Sequence, residues 1–123
     1  MIYLDTNFLI GALDPLSLEQ RRIREWVARR RIIRASSVAW AEFLCGPVRP
    51  EDIRLAGTII GEPMPFAAGD GNTAAWLFNR SGRRRGTLLD CMIAAAAINA
   101  SASLATNNVA DFERFVESGL ELA

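Results

Sequence analysis

Three acidic residues stand in segments that are otherwise apolar. Asp5 ends the run IYLD, Glu42 lies within SSVAWAEFLCG, and Asp90 lies within LLDCMIAAAAI. A carboxylate in such surroundings loses hydration unless water or a cation reaches it, and carboxylates brought together repel one another. Hard divalent cations such as Mg²⁺ and Mn²⁺ prefer oxygen ligands. The pattern therefore favours a shared metal site, which suits phosphodiester hydrolysis because a bound ion polarises the phosphoryl group and activates water.

Each of these acids also has a purely structural explanation. Asp5 could cap a helix that follows the first strand. Thr87 and Asp90 could form a capping box, with aspartate in the position that glutamate usually takes. Glu42, on the helical face of Val38, would then need only water. Converging carboxylates explain all three positions together, whereas the structural explanations require three unrelated coincidences.

The composition excludes several other chemistries. The chain of 123 residues has no histidine, and all 14 of its basic residues are arginine. Imidazole ligation of a metal and histidine acid–base catalysis are therefore absent. No lysine is present for a phosphate-binding P-loop or a phosphoaspartate site. The formal net charge is zero, which argues against nonspecific attraction of the whole molecule to nucleic acid.

Cysteine content and hydropathy indicate the compartment. We expect Cys45 and Cys91, both in apolar helical segments, to be small buried residues in a reducing environment. The start of the chain has no charged region like that of a signal peptide, and the run CMIAAAAI is too short to span a bilayer. These features predict a cytoplasmic protein without a membrane segment.

Short strands alternate with helices along the chain. Strands are predicted at IYL, RIIRAS, SASLAT and GLELA, with a short extended piece at PMPF, and the most regular helix is LLDCMIAAAAINA. Ser17 and Ser37 are predicted to cap two of the helices. Such alternation implies parallel pairing through helical crossovers. We therefore predict an α/β fold, a three-layer α/β/α sandwich with a mostly parallel sheet, in a single domain over residues 1–123.

Four segments carry a family resemblance. YLDTNFLI, SSVAWAEFLCG, LLDCMIAAAAI and LATNNVADFERF resemble, in this order, the signature segments of PIN-domain proteins, in particular the VapC-like ribonuclease toxins of bacterial type II toxin–antitoxin modules. The resemblance spans nearly the whole chain. It implies a five-stranded parallel sheet between helices, an endoribonuclease that depends on Mg²⁺ or Mn²⁺, a homodimer, and inhibition by a cognate antitoxin whose tail covers the site.

The resemblance assigns the catalytic and metal-binding roles to Asp5, Glu42 and Asp90. The family's fourth site position corresponds to Asn108, which is neutral and could orient a metal-bound water without adding charge. Asp111 is the nearby acid that could compensate, although it could equally cap a short helix.

Further residues are assigned supporting roles. Thr6, Asn7 and Thr106 could hydrogen-bond the ligand carboxylates, or Thr6 and Asn7 could serve only in a turn and a helix cap. The arginines of GRRRG, Arg83, Arg84 and Arg85, precede the helix of Asp90 and could meet an RNA backbone. The rival interpretation is a binding module that engages RNA or a protein partner without cutting.

Overall fold

A parallel sheet forms the centre of the protein, which we describe over residues 1–123 from a computed structural model. The strands are β1 (Ile2–Leu4), β2 (Ile33–Arg34), β3 (Ser103–Ala105) and β4 (Glu121–Leu122). Their order across the sheet is β2-β1-β3-β4, and every neighbouring pair is parallel. The predicted parallel α/β architecture is confirmed, and the last strand lies at an edge of the sheet as expected.

Seven α-helices and one 3-10 helix connect and cover the strands. They are α1 (Thr6–Gly11), α2 (Leu18–Ala28), α3 (Ser37–Leu44), α4 (Pro50–Ile60), α5 (Ala68–Arg80), α6 (Leu88–Asn99), α7 (Val109–Phe112) and the 3-10 helix (Glu113–Ser118). None of them is long and apolar enough to cross a membrane.

The sheet has four strands, whereas the resemblance implies five. The extended segment around Met64 reaches the edge next to β2 but forms only one parallel bridge, with Ser36. The Met64 N–H donates to the carbonyl of Ala35 at 2.8 Å. Pro63 and Pro65 flank Met64 and have no N–H to donate, which limits the pairing to this single residue.

Alternating side chains on the strands build two apolar cores, one on each face of the sheet. Ile2 and Leu4 point to one face and Tyr3 to the other, as the period of two in a strand requires. The first core includes Phe8, Phe43, Ala56 and Ile60 from α1, α3 and α4. The second includes Leu77, Cys91, Ala94 and Ala97 from α5 and α6. The predicted three-layer sandwich is therefore confirmed.

The helix caps differ from the sequence-based expectation in detail. Ser17 caps α2, as predicted, by accepting the N–H of Gln20 at 3.0 Å. The cap of α3 is Ser36, because the helix begins one residue earlier than predicted, at Ser37. Cys91 is buried as expected, but Cys45 is exposed since it follows the last helical residue of α3.

Candidate active site

Asp5 is both a helix cap and a buried acid at the end of β1. One carboxylate oxygen, Oδ1, accepts the N–H of Phe8 in the first turn of α1 at 2.8 Å. The other, Oδ2, accepts a hydrogen bond from the Thr106 hydroxyl. Burial raises the pKa of Asp5, and the two hydrogen bonds partly offset that rise because they favour the charged form. The predicted cap thus exists, and it fixes a carboxylate at the carboxyl end of β1, where ligands collect in open parallel sheets.

Glu42 lies on α3, and its carboxylate accepts a hydrogen bond from a residue of the neighbouring helix α1. Its Oε1 accepts a hydrogen bond from the hydroxyl of Thr6, a buried residue that directly follows Asp5. The same hydroxyl lies 3.5 Å from the carbonyl oxygen of Ala39. Thr6 therefore restrains the orientation of the Glu42 carboxylate.

Asp90 lies in the first turn of α6 and does not form the capping box that the sequence allows. The Thr87 hydroxyl donates to the carbonyl of Arg84 at 2.6 Å, and α6 has no side-chain cap. Burial is the main cause that raises the pKa of Asp90, followed by the negative charge of Asp111. The charges of Glu42 and Asp5 raise it further, so these carboxylates are close enough to repel one another.

The three acids meet at one cavity of about 290 Å³. Its walls also contain Thr6, Asn7, Ile10, Ile93, Asn108 and Phe112. The donor set, carboxylate and amide oxygens, suits a hard divalent cation. As the side chains stand, no three of the acids are close enough to hold one ion. A cation would therefore have to draw the carboxylates closer together. Its positive charge would offset the repulsion between them.

The loop after β3 supplies the other residues predicted for the site. The Thr106 hydroxyl, which donates to Asp5, also accepts the backbone N–H of Asn108 at 2.9 Å. Asn108 and Asn7 line the cavity, but Asp111 does not. Asp111 is exposed in the first turn of α7 and acts on Asp90 only through its charge.

The sequence profile of the PIN domain matches residues 2–117 of this chain. The chain belongs to the PIN-domain family. This match confirms the predicted family and covers all the residues that line the acidic cavity. No curated protein matches the chain.

Solved structures similar to this PIN domain include VapBC structures and a toxin–antitoxin complex from Klebsiella pneumoniae. VapBC2 from Rickettsia felis, bound to a DNA fragment from its promoter, contains a chain with 25% identity and a TM-score of 0.78, and the match covers 100% of this chain and 98% of that one. DNA-bound VapBC from Salmonella typhimurium contains a chain with 21% identity and a TM-score of 0.75. The match covers 99% of this chain and 96% of that one. VapBC-1 from nontypeable Haemophilus influenzae contains a chain with 24% identity and a TM-score of 0.73, and the match covers 100% of this chain and 97% of that one.

The three arginines of GRRRG take different positions in this PIN domain. Arg83 contacts the side-chain oxygen of Asn79, and its guanidinium lies 5.6 Å from the ring centroid of Phe78. Arg84 lines a second cavity, and Arg85 is exposed in the turn. The three arginines therefore differ in their contacts, although all three are exposed.

Sequence reasoning missed Arg114, which forms an ion pair with Asp90. Arg114 Nη2 lies 3.9 Å from Asp90 Oδ2, which allows attraction between charges but is too long for a hydrogen bond. The guanidinium lies 4.5 Å from the ring centroid of Phe115, and its Nε and Nη2 are buried without a hydrogen-bond partner. No spacing in the sequence indicated this contact, because it depends on how the 3-10 helix packs beside α6.

Proposed function

We propose that this PIN domain is a metal-dependent endoribonuclease, the toxin of a type II toxin–antitoxin module, which hydrolyses RNA phosphodiesters. The observation that carries the proposal is the convergence of Asp5, Glu42 and Asp90 on one cavity. These acids come from the end of β1, from α3 and from α6, segments far apart in the sequence. Neither a helix cap nor a surface charge explains why all three face the same space.

The proposed roles follow from the contacts of each side chain. Asp5, Glu42 and Asp90 hold the cation, Mg²⁺ or Mn²⁺, which supplies polarisation of the phosphoryl group and a lower pKa for water. Thr106 fixes the carboxylate of Asp5, and Thr6 fixes that of Glu42. Such hydrogen bonds restrict the orientation of the carboxylates and so favour one coordination geometry.

The similarity of this chain to chains of VapBC structures supports an antitoxin as the proposed partner. The similar chains from Rickettsia felis, Salmonella typhimurium and Haemophilus influenzae come from VapBC structures. By analogy, a cognate antitoxin binds this protein and covers its acidic cavity, and the toxin acts in the cytoplasm as a homodimer. A short basic reading frame directly upstream of the gene would support the pairing with an antitoxin.

Cleavage of RNA by the purified, antitoxin-free protein tests the proposed activity. A panel of structured RNAs is incubated in Mn²⁺ or Mg²⁺, with a chelator control and an Asp90→Asn variant. Glu25→Gln, which removes one charge from an exposed position on α2, is the matched control. We expect cleavage that is lost in chelator, falls at least about 100-fold in Asp90→Asn and is unchanged in Glu25→Gln. Metal-independent cleavage, or equal activity in Asp90→Asn, would contradict the proposal.

A binding module without catalysis is the second candidate. Two observations favour it: no three acids converge closely enough for one ion as the side chains stand, and Asn108 is neutral. This candidate predicts that the folded protein binds RNA or a protein partner but cuts no RNA in either metal. The cleavage panel therefore separates the two functions.

A further inference from the structure

A second cavity, of about 370 Å³, lies between the C-terminal end of α5 and the 3-10 helix. The side chains of Arg80, Arg84 and Arg114 line it, together with those of Ser81, Glu113 and Glu117. Arg114 belongs to this arginine cavity, and Asp90 belongs to the acidic one. Because Arg114 Nη2 lies 3.9 Å from Asp90 Oδ2, the two cavities are direct neighbours.

Two arginines of this cavity, Arg80 and Arg84, form no ion pair with its two glutamates. Ion pairs in the chain join Arg49 to Glu51 and Asp52, and Arg114 to Asp90; neither Arg80 nor Arg84 takes part in one. Arg80 lies over the ring of Trp76, 4.8 Å from its centroid, which leaves its N–H groups available. Both guanidinium groups can therefore present paired donors to an anion.

Arg114 has donors that the protein does not satisfy. Its Nε and Nη2 are buried and have no acceptor, although buried N–H groups are nearly always paired because an unpaired donor is costly. Its side chain is 20% exposed, so it still borders solvent. Contact with the Phe115 ring restrains the guanidinium but provides no hydrogen bond. A negatively charged ligand beside Arg114 would supply the missing acceptor if the guanidinium turned Nε or Nη2 toward it.

An acidic cavity alone is a poor place for an RNA strand. The carboxylates of Asp5, Glu42 and Asp90 repel phosphate groups, and the net charge of zero gives no general attraction. Binding of the backbone must therefore come from cations close to the acids. Guanidinium groups match phosphate oxygens with two parallel hydrogen bonds, and the arginine cavity presents three of them beside Asp90.

We infer that the arginine cavity is a phosphate subsite, in which Arg80, Arg84 and Arg114 bind a backbone phosphate adjoining the one held at the acids. This inference rests on the proposed function in two respects, the identity of the ligand as RNA and the neighbouring phosphate held at the acids. It separates Arg84 from Arg83 and Arg85 within GRRRG, and it adds two arginines that lie outside that motif.

RNA binding without cleavage tests the subsite. A labelled single-stranded RNA oligonucleotide of mixed sequence is titrated in chelator, and binding is followed by fluorescence anisotropy over a range of salt concentrations. The variant carries Arg80→Ala with Arg84→Ala, and the matched control carries Arg21→Ala with Arg54→Ala, which removes the same charge from exposed positions on α2 and α4. Circular dichroism verifies that both proteins are folded.

We expect the Arg80→Ala/Arg84→Ala variant to raise the Kd for RNA at least about tenfold, and the control variant to raise it less than about twofold. Loss of the contact to this one phosphate should lower the slope of log Kd against log salt by about 0.7 on a single strand. If both double variants weaken RNA binding equally, the inference is wrong. The absence of RNA binding by the unmodified protein would also overturn it.

One further outcome assigns the cavity to a different ligand. If the Arg80/Arg84 variant binds RNA normally but binds the antitoxin of the adjacent gene more weakly, the cavity recognises that protein and the inference is wrong. Because binding is measured in chelator, the result does not depend on turnover. The subsite can therefore stand even if the cleavage panel rejects the nuclease, and the reverse also holds.

Discussion

At the scale of single residues, the three acids singled out in the sequence line one cavity, but the sequence could not decide what each one does. Asp5 is a helix cap and also a member of the cavity, so the two explanations for it are compatible. For Asp90 the capping-box explanation is wrong, because the Thr87 hydroxyl donates to a carbonyl and α6 has no side-chain cap. A carboxylate that does not cap its helix is left available for a ligand.

The charge of Asp90 should destabilise the fold at neutral pH. Its pKa in the folded chain lies above that of an unfolded aspartate because burial and Asp111 oppose ionisation. The ionised form therefore costs stability above the folded pKa, and this cost disappears as the pH falls below the unfolded value of about 3.9. We expect Asp90→Asn to raise the melting temperature by a few degrees at pH 7 in chelator, and to have little effect near about pH 3.

Thermal melting over this pH range, with Glu25→Gln as control, measures the effect. A melting temperature that falls at pH 7 in Asp90→Asn would show that Arg114, rather than burial, dominates the environment of Asp90.

Thr106 should matter more for the site than its distance along the chain from Asp5 suggests. Thr106→Val keeps the shape but removes the hydroxyl that donates to Asp5 and accepts from Asn108. We expect about a 10- to 100-fold loss of Mn²⁺ affinity and a drop of about 1–2 kcal/mol in the free energy of unfolding. Calorimetric titration and urea unfolding measure the two effects. Thr106→Ser should restore both, and metal affinity unchanged in Thr106→Val would remove Thr106 from the site.

At the scale of elements, hydrophobic alternation predicted the sheet and its crossovers, but exact boundaries depended on local chemistry. Ser36 and Ser37 are equivalent in sequence, and only Ser36 has the extended backbone of a cap, with φ −71° and ψ 155°. The edge segment was predicted correctly as extended, and Pro63 and Pro65 explain why it pairs only at Met64. Neither detail follows from the period of apolar residues.

The cap of α3 gives a prediction at this scale. Ser36→Ala removes the oxygen that accepts the Ala39 N–H at 3.1 Å and leaves that buried donor unpaired. We expect the free energy of unfolding in urea to fall by about 1 kcal/mol, with no change in the m-value. Cleavage should be retained, because Glu42 is held by Thr6 and not by the cap. An unchanged unfolding free energy would mean that Ser36 does not stabilise α3.

At the scale of the whole molecule, the fold class and the family could be predicted from four segments, whereas the electrostatic surroundings of the site could not. The contact between Arg114 and Asp90 exists because the 3-10 helix packs beside α6. The turn that separates Arg84 from Arg83 passes through a left-handed backbone at Arg83, with φ 54°, and at Gly82, with φ 94°. A run of three identical residues carries no signal for such a turn, so the arginine cavity became visible only in the structure.

The central claim, that Asp5, Glu42 and Asp90 hold a divalent ion, is tested most directly by locating manganese in crystals of the metal-loaded protein by anomalous scattering. We predict a peak inside the acidic cavity, about 2.0–2.3 Å from carboxylate oxygens of at least two of the three acids, and no such peak in crystals of Asp90→Asn. A manganese-loaded crystal with no peak in this cavity, or an undiminished peak in Asp90→Asn, would contradict the claim.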